Sequence, residues 1–144
     1  MTHLDRGHYA KKHPADRRAD PVLVEAVRTR APDGSITCAS AFRIAAEHNV
    51  APAVVGFTID TLEVRIVRCQ LGLYGYGKRR GIIEPSTSVA PELETAIREG
   101  LADGRLPCRT AWDIADRFGL TKPQVAGACE TLKIKLSRCQ LGSF

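Results

Sequence analysis

The stretch DGRLPCRTAWDIADRFGLTKPQVAGACETLKIKLSRCQLG, Asp103 to Gly142, reads as a helix, a tight turn, a second helix and a strand. The chain carries the same stretch earlier, as DGSITCASAFRIAAEHNVAPAVVGFTIDTLEVRIVRCQLG, Asp33 to Gly72. An offset of 70 positions lays Pro21–Gly72 on Pro91–Gly142 without a gap. Of the 52 aligned pairs 18 are identical, and the match ends in a shared Arg-Cys-Gln-Leu-Gly. Identity at that level in one unbroken register is far above chance, so the chain is a duplication whose copies are expected to share one fold.

Working outward, Pro21 and Pro91 each stand where a helix can open, because proline's missing N–H is not needed in the first turn. Val24, Val27 and Arg28, with their equivalents up to Ile97 and Arg98, follow at helical spacing. Asp33-Gly34 and Asp103-Gly104 signal turns. Ile36-Thr37-Cys38 and Leu106-Pro107-Cys108 are long enough for one edge strand each. After the helical pair, Val64 and Ile66 alternate with charged residues, as do Ile134 and Leu136, which is the period of a half-buried strand.

The middle of each copy resembles the helix-turn-helix of DNA-binding proteins over roughly 20 residues. In the second copy Ile114 and Ala115 set an apolar residue beside a small one on the first helix. Gly119 occupies the turn, where a left-handed backbone is costly for any residue with a Cβ. Leu120 and Val125 supply apolar contacts, and Thr121 can cap the second helix. The first copy keeps Ile44, Ala45, Val50 and Val55, with Asn49 at the turn. The resemblance implies a mostly α protein: two tandem winged-helix-like repeats with short β-strands, related by a pseudo-two-fold. The expected division is a flexible arm over 1–20, a first repeat over 21–72, a basic glycine-rich connector over 73–90 and a second repeat over 91–144. The wing is open to question. The second copy stops at Phe144, leaving no room for a returning strand, whereas the first can continue through Tyr74 to Lys78.

The net charge of +5 is unevenly spread. Residues 1–20 carry five basic and three acidic groups, and Lys78, Arg79 and Arg80 face only Glu84 in the connector. The first copy has five of each sign and the second eight basic against seven acidic, so both repeats are nearly neutral. A phosphate-binding surface would therefore draw mainly on the arm and connector. No apolar run reaches the roughly 18 residues of a membrane span, and the polar N-terminus does not read as a signal peptide. The expectation is a cytoplasmic protein without membrane attachment.

Residue chemistry points away from catalysis. The acidic residues are dispersed, and three of the four histidines, His3, His8 and His13, recur every five residues in the arm, matching neither a helix face nor a compact ligand set. His48 aligns with Phe118, which suggests a packed position at a helix end. Gly72 to Lys78 fits G-x-x-x-x-G-K, but Arg79 stands where a phosphate-binding loop needs Ser or Thr, and Pro85 stands where its helix should run. The five cysteines lack C-x-x-C spacing. Four form equivalent pairs, Cys38/Cys108 and Cys69/Cys139, read as small buried hydrophobes near short strands. Were a metal or redox sensor present, these four would supply it. No cofactor is expected.

Three functions remain. The resemblance implies a transcriptional regulator bound to double-stranded DNA as a single-chain pseudo-dimer, its second helices one helical turn apart. Thr121, Lys122, Gln124 and Gly127 would then face the groove, with Gln124 the candidate for a base edge and Lys78, Arg79 and Arg80 holding phosphates. The second helix of the first copy instead carries no Lys or Arg and expects Ala53, Gly56, Phe57 and Thr58 on its outer face, which suits a protein partner. An adaptor or accessory subunit is therefore the alternative. A cysteine-based sensor is the third.

Overall fold

The computed structural model of the protein describes residues 8–72 and 88–143. Both copies run through one element order. The first has α1 (Pro21–Arg30), β1 (Ser35–Thr37), α2 (Cys38–Glu47), α3 (Pro52–Thr61) and β2 (Arg65–Val67). The second has α4 (Pro91–Glu99), β3 (Leu106–Pro107), α5 (Cys108–Phe118), α6 (Lys122–Thr131) and β4 (Leu136–Ser137). A single 3-10 turn, Tyr9–Lys12, precedes them. The expected α-rich architecture with short strands is observed.

The local signals act as read. Pro21 and Pro91 stand in the first turns of α1 and α4, and Asp20 caps α1 by accepting from the Val22 N–H at 2.8 Å. Gly119 ends α5 in the left-handed conformation at φ 64°, and Asn49 takes φ 52° at the same place in the first copy. Left-handed residues recur at Glu63 and Lys133, and again at Arg68 and Arg138, so the copies share their irregular positions as well as their helices. One detail differs. Cys38 and Cys108, expected at strand ends, are the first residues of α2 and α5, since the chain turns helical as soon as the strand pairing ends.

The strands pair in parallel, β1 with β2 (Ile36 opposite Ile66) and β3 with β4 (Leu106 opposite Leu136). The helical pair is thus the crossover between two parallel strands, as parallel pairing requires. A wing would need an antiparallel return strand, and among the described residues none pairs with β2 or β4. Arg68 (φ 52°) and Arg138 (φ 47°) follow β2 and β4 closely in the left-handed conformation, at equivalent positions. Tyr74 to Lys78, the stretch expected to extend the first sheet, lies outside the described residues.

The compact units cut across the sequence repeats. One comprises Met1–Val67 with Gln140–Phe144, and the other Arg68–Cys139. Each repeat body is therefore closed by the tail of the other repeat. In the first unit Val27, Ile36, Ile44, Val55, Ile59 and Leu141 are almost wholly excluded from solvent. In the second, Cys69 and Leu71 join Ile97, Leu106, Val125 and Cys129 in one apolar cluster.

This closure explains α3. An amphipathic helix buries one stripe, but α3 buries six consecutive residues, Val55 to Asp60. Leu141 lies so close to α3 that a Cβ on Gly56 would sit 1.9 Å from the Leu141 carbonyl oxygen. We therefore expect Gly56→Ala to destabilise the protein by roughly 1–3 kcal/mol, because backbone must move to make room. Gly119→Ala meets open space and is strained only by its φ of 64°, for a loss of about 1 kcal/mol. Urea denaturation of the two variants beside wild type checks the order.

Candidate functional site

The end of α6 singled out by the sequence is built as a cap. The Thr121 hydroxyl oxygen accepts from the Gln124 N–H at 3.3 Å, and the Gln124 side-chain oxygen accepts from the Thr121 N–H at 2.8 Å. This reciprocal box satisfies two orphan donors of the first turn. Both side chains stay exposed, leaving the Gln124 amide N–H₂ directed by its own cap. Lys122 is half-buried, with its ammonium 4.5 Å above the Trp112 ring. On the preceding helix α5, Arg109, Asp113, Asp116 and Arg117 are all exposed, so its outer surface is mixed in sign.

Gly127 does not belong with them. It is buried, as are Val125, Ala126, Ala128 and Cys129, so the middle of α6 is enclosed rather than turned towards a groove. Helical spacing alone had placed Gly127 outward. Leu71, from the tail that closes the unit and fully excluded from solvent, belongs to the same apolar cluster as Val125, Ala126, Ala128 and Cys129.

The corresponding correction applies to α3. Phe57 and Thr58, expected on an outer face beside Ala53, are 5% and 0% exposed, and of the three only Ala53 is exposed. The residues preceding α1 cover Phe57. The Arg17 guanidinium lies 3.8 Å from the ring centroid and the His13 ring meets it edge-on at 4.8 Å. Thr58 turns its hydroxyl inward to donate to the Val54 carbonyl at 3.0 Å.

Residues 8–20 are thus laid on α3, whereas their composition had suggested a mobile arm. Three acceptors hold them. Glu63 receives the Tyr9 and Ala10 N–H groups on its two carboxylate oxygens at 2.9 and 3.0 Å, capping the 3-10 turn. Asp60, only 5% exposed, meets His13 Nε2 at 2.7 Å and Lys12 Nζ at 3.1 Å. Lys12 also donates to the Gly142 carbonyl at 3.0 Å, tying arm, α3 and C-terminal segment together. Composition missed this because the partners lie some 50 residues away or more. A legible signal existed: Asp60 is an acid within an otherwise apolar helix. The cavity beside Asp60, lined by Tyr9, Lys12 and Ser143, is about 10 Å³, room for a single water and no ligand.

A second concavity, among the described residues of the first unit, lies on α1 and the end of α2. It is an open groove of about 570 Å³ lined by Pro21, Val22, Ala26, Thr29 and His48 among others. Val22, 60% exposed, is the large apolar side chain most open to solvent among the described residues. Arg30 rims the groove, donating to both oxygens of Glu47 at 2.9 and 2.8 Å. His48, expected as packed, is half-buried at this rim.

Among the described residues no group of three or more His, Cys, Asp or Glu side chains converges as a metal site requires, and no cysteine forms a disulfide. Cys38, Cys69, Cys108 and Cys129 are buried and Cys139 is half-buried. Lys78, Arg79 and Arg80 lie outside the described residues.

Burial, with Glu130 adding to it, pushes the Cys129 thiol from its ordinary 9.0 up to about 11. A raised folded-state pKa means the unfolded chain loses this proton first. The contribution is therefore complete below pH 9.0 and is lost as pH rises towards about 11. Stability of wild type relative to Cys129→Ala should be level through neutral pH and narrow over that window, measured by denaturation at each pH. For the arm, Asp60→Ala should strand Lys12 and His13 and speed tryptic cleavage at Lys11 to Arg18 by about tenfold. Glu130→Ala, at the equivalent and exposed position, should leave the cleavage pattern unchanged.

Comparison of the chain with models of protein families, with curated proteins and with solved structures finds no match.

Proposed function

We propose that the chain is a non-catalytic scaffold that binds another protein, with its helical pairs serving as structure rather than as a nucleic-acid reader. One observation carries this reading. The middles of both second helices, Val55–Asp60 and Val125–Cys129, are enclosed within their own units. A helix that reads bases must present its side chains to the major groove, and these side chains are spent on packing. The near-neutral charge of each repeat argues in the same direction, since phosphate attraction supplies most non-specific affinity for DNA.

The groove around Val22 suits a protein partner. Its lining joins apolar and small residues, Pro21, Val22 and Ala26, to Glu25 and the Arg30–Glu47 ion pair, and protein interfaces combine apolar and polar contacts in this way. No helix among the described residues is long and apolar enough to cross a membrane. The absence of a nucleophile–base arrangement in the sequence fits a binding role.

The DNA reading remains second, on one specific feature. Thr121 and Gln124 stand exposed at the first turn of α6, where backbone donors and the helix dipole favour phosphate. One experiment separates the two. Tagged chain from its native cells is scored for a stoichiometric protein, and purified chain is titrated with duplex DNA at low salt. The scaffold reading expects a protein partner, affinity falling about tenfold or more in Val22→Asp, and no DNA shift. A duplex shift that Gln124→Ala weakens by about 1–3 kcal/mol overturns it in favour of DNA.

A further inference from the structure

The segment that closes the first unit is a short peptide seated in a slot. Its central side chain, Leu141, is 2% exposed. Its backbone runs so close to α3 that only Gly56 fits beneath it, a Cβ there lying 1.9 Å from the Leu141 carbonyl oxygen and 2.6 Å from its carbon. Gly142 takes φ 78°, and its carbonyl accepts from Lys12 Nζ at 3.0 Å. Ser143, 9% exposed, lines the small cavity with Tyr9 and Asp60. An apolar plug, a glycine floor, a left-handed turn and a charged donor on a backbone carbonyl constitute a site for a peptide of one sequence and one conformation.

The occupant does not come from the repeat that forms the slot. Residues 140–144 close the unit built from Met1–Val67, while Arg68 and the residues after it belong to the other unit. The residues 68–72 and 138–142 are the same five, Arg-Cys-Gln-Leu-Gly. Leu71 is as deeply buried in the second unit as Leu141 is in the first. Both tails follow their strands through a left-handed arginine, Arg68 or Arg138. A segment that leaves its own body to complete another makes the same contacts whether the receiving body lies on its own chain or on a second one. That equivalence is the condition for domain swapping.

We infer that the Gly56 slot is a docking site for the Gln-Leu-Gly-Ser tail, residues 140–143, and that it accepts the tail of a second copy of this chain, giving a tail-exchanged dimer. In the closed monomer the tethered tail competes at an effective concentration of order millimolar. Exchange between chains is therefore scarce in dilute wild-type protein and emerges when the tail within the chain is disabled. This site is separate from the Val22 groove, and the inference stands whether the partner there is a protein or not.

Two full-length variants test it by complementation. Gly56→Leu closes the slot and leaves the tail intact; Leu141→Asp disables the tail and leaves the slot open. Each alone should run as a monomer by light scattering, and an equimolar mixture should give a one-to-one dimer, the tail of the first chain filling the slot of the second. A mixture of folded variants that stays monomeric overturns the inference. Should either variant fail to fold, Gly56→Ala and Leu141→Ala take their places. Alongside, a labelled synthetic peptide of residues 138–144 should bind the Leu141→Ala chain saturably. Its affinity should fall about tenfold or more when Gly56→Ala is added, or when the peptide itself carries aspartate for Leu141. No saturable binding, or binding indifferent to both changes, overturns the slot itself.

Discussion

Leu141 lies against the bare backbone of Gly56, and the enclosure of α3 depends on that approach. Removing a leucine side chain from water is worth about 1.5–3 kcal/mol, a large share of the stability of a unit this small. Bodies of this size bury too little surface to be secure alone. The tail supplies a missing wall. In the second unit Leu71 is a member of the apolar cluster with Ile97, Leu106 and Val125. Both closures begin at an arginine held in the left-handed region, at a cost of about 1–2 kcal/mol each. The burial of the leucine offsets that cost.

The two units solve the problem of covering their second helix differently. The first sets Gly56 beside Phe57 and lays the arm over the ring, with Arg17 and His13 against its face and edge. The second has Ala126 and Gly127 at the aligned positions, both buried. Asp60, buried and bonded to Lys12 and His13, corresponds to Glu130, which is exposed. The arm contacts at Asp60 and Phe57 thus rest on side chains that the aligned positions, Glu130 and Gly127, do not repeat. Its attraction to α3 is ionic at Asp60 and Glu63 and aromatic at Phe57. Losing one partner of a buried ion pair costs more than the pair contributes, because the other charge is left without compensation.

These closures bear directly on function. A helix that reads bases presents its side chains to the groove, whereas here the middle of each second helix lies in a small core. Here the open surfaces are the capped start of α6 and the groove on α1 around Val22. The first is mixed in charge, and the second is lined by apolar, small and charged residues together. On the proposed reading these surfaces would meet a protein rather than a uniformly negative polymer.

Much was legible in the sequence because it depends on neighbours in the chain. The repeat, the proline starts, the left-handed turns at Asn49 and Gly119, the cap at Thr121 and the alternation that became β2 and β4 are local, each set by a few adjacent residues. The burial of Cys38 and Cys108 likewise followed from residue type. What local patterns could not carry was which element covers which. Phe57 and Gly127 lie on what helical spacing marks as an outer face, and both are buried. Arg-Cys-Gln-Leu-Gly was visible as a repeated run, but its place in the opposite unit was not. Those outcomes were decided by long-range contacts, between residues 12 and 60, 12 and 142, and 56 and 141. The sequence by itself determined the elements, their caps and their duplication. Only the tertiary structure decided that the tails cross over and that the arm is docked, because burial is a property of what arrives from elsewhere in the chain.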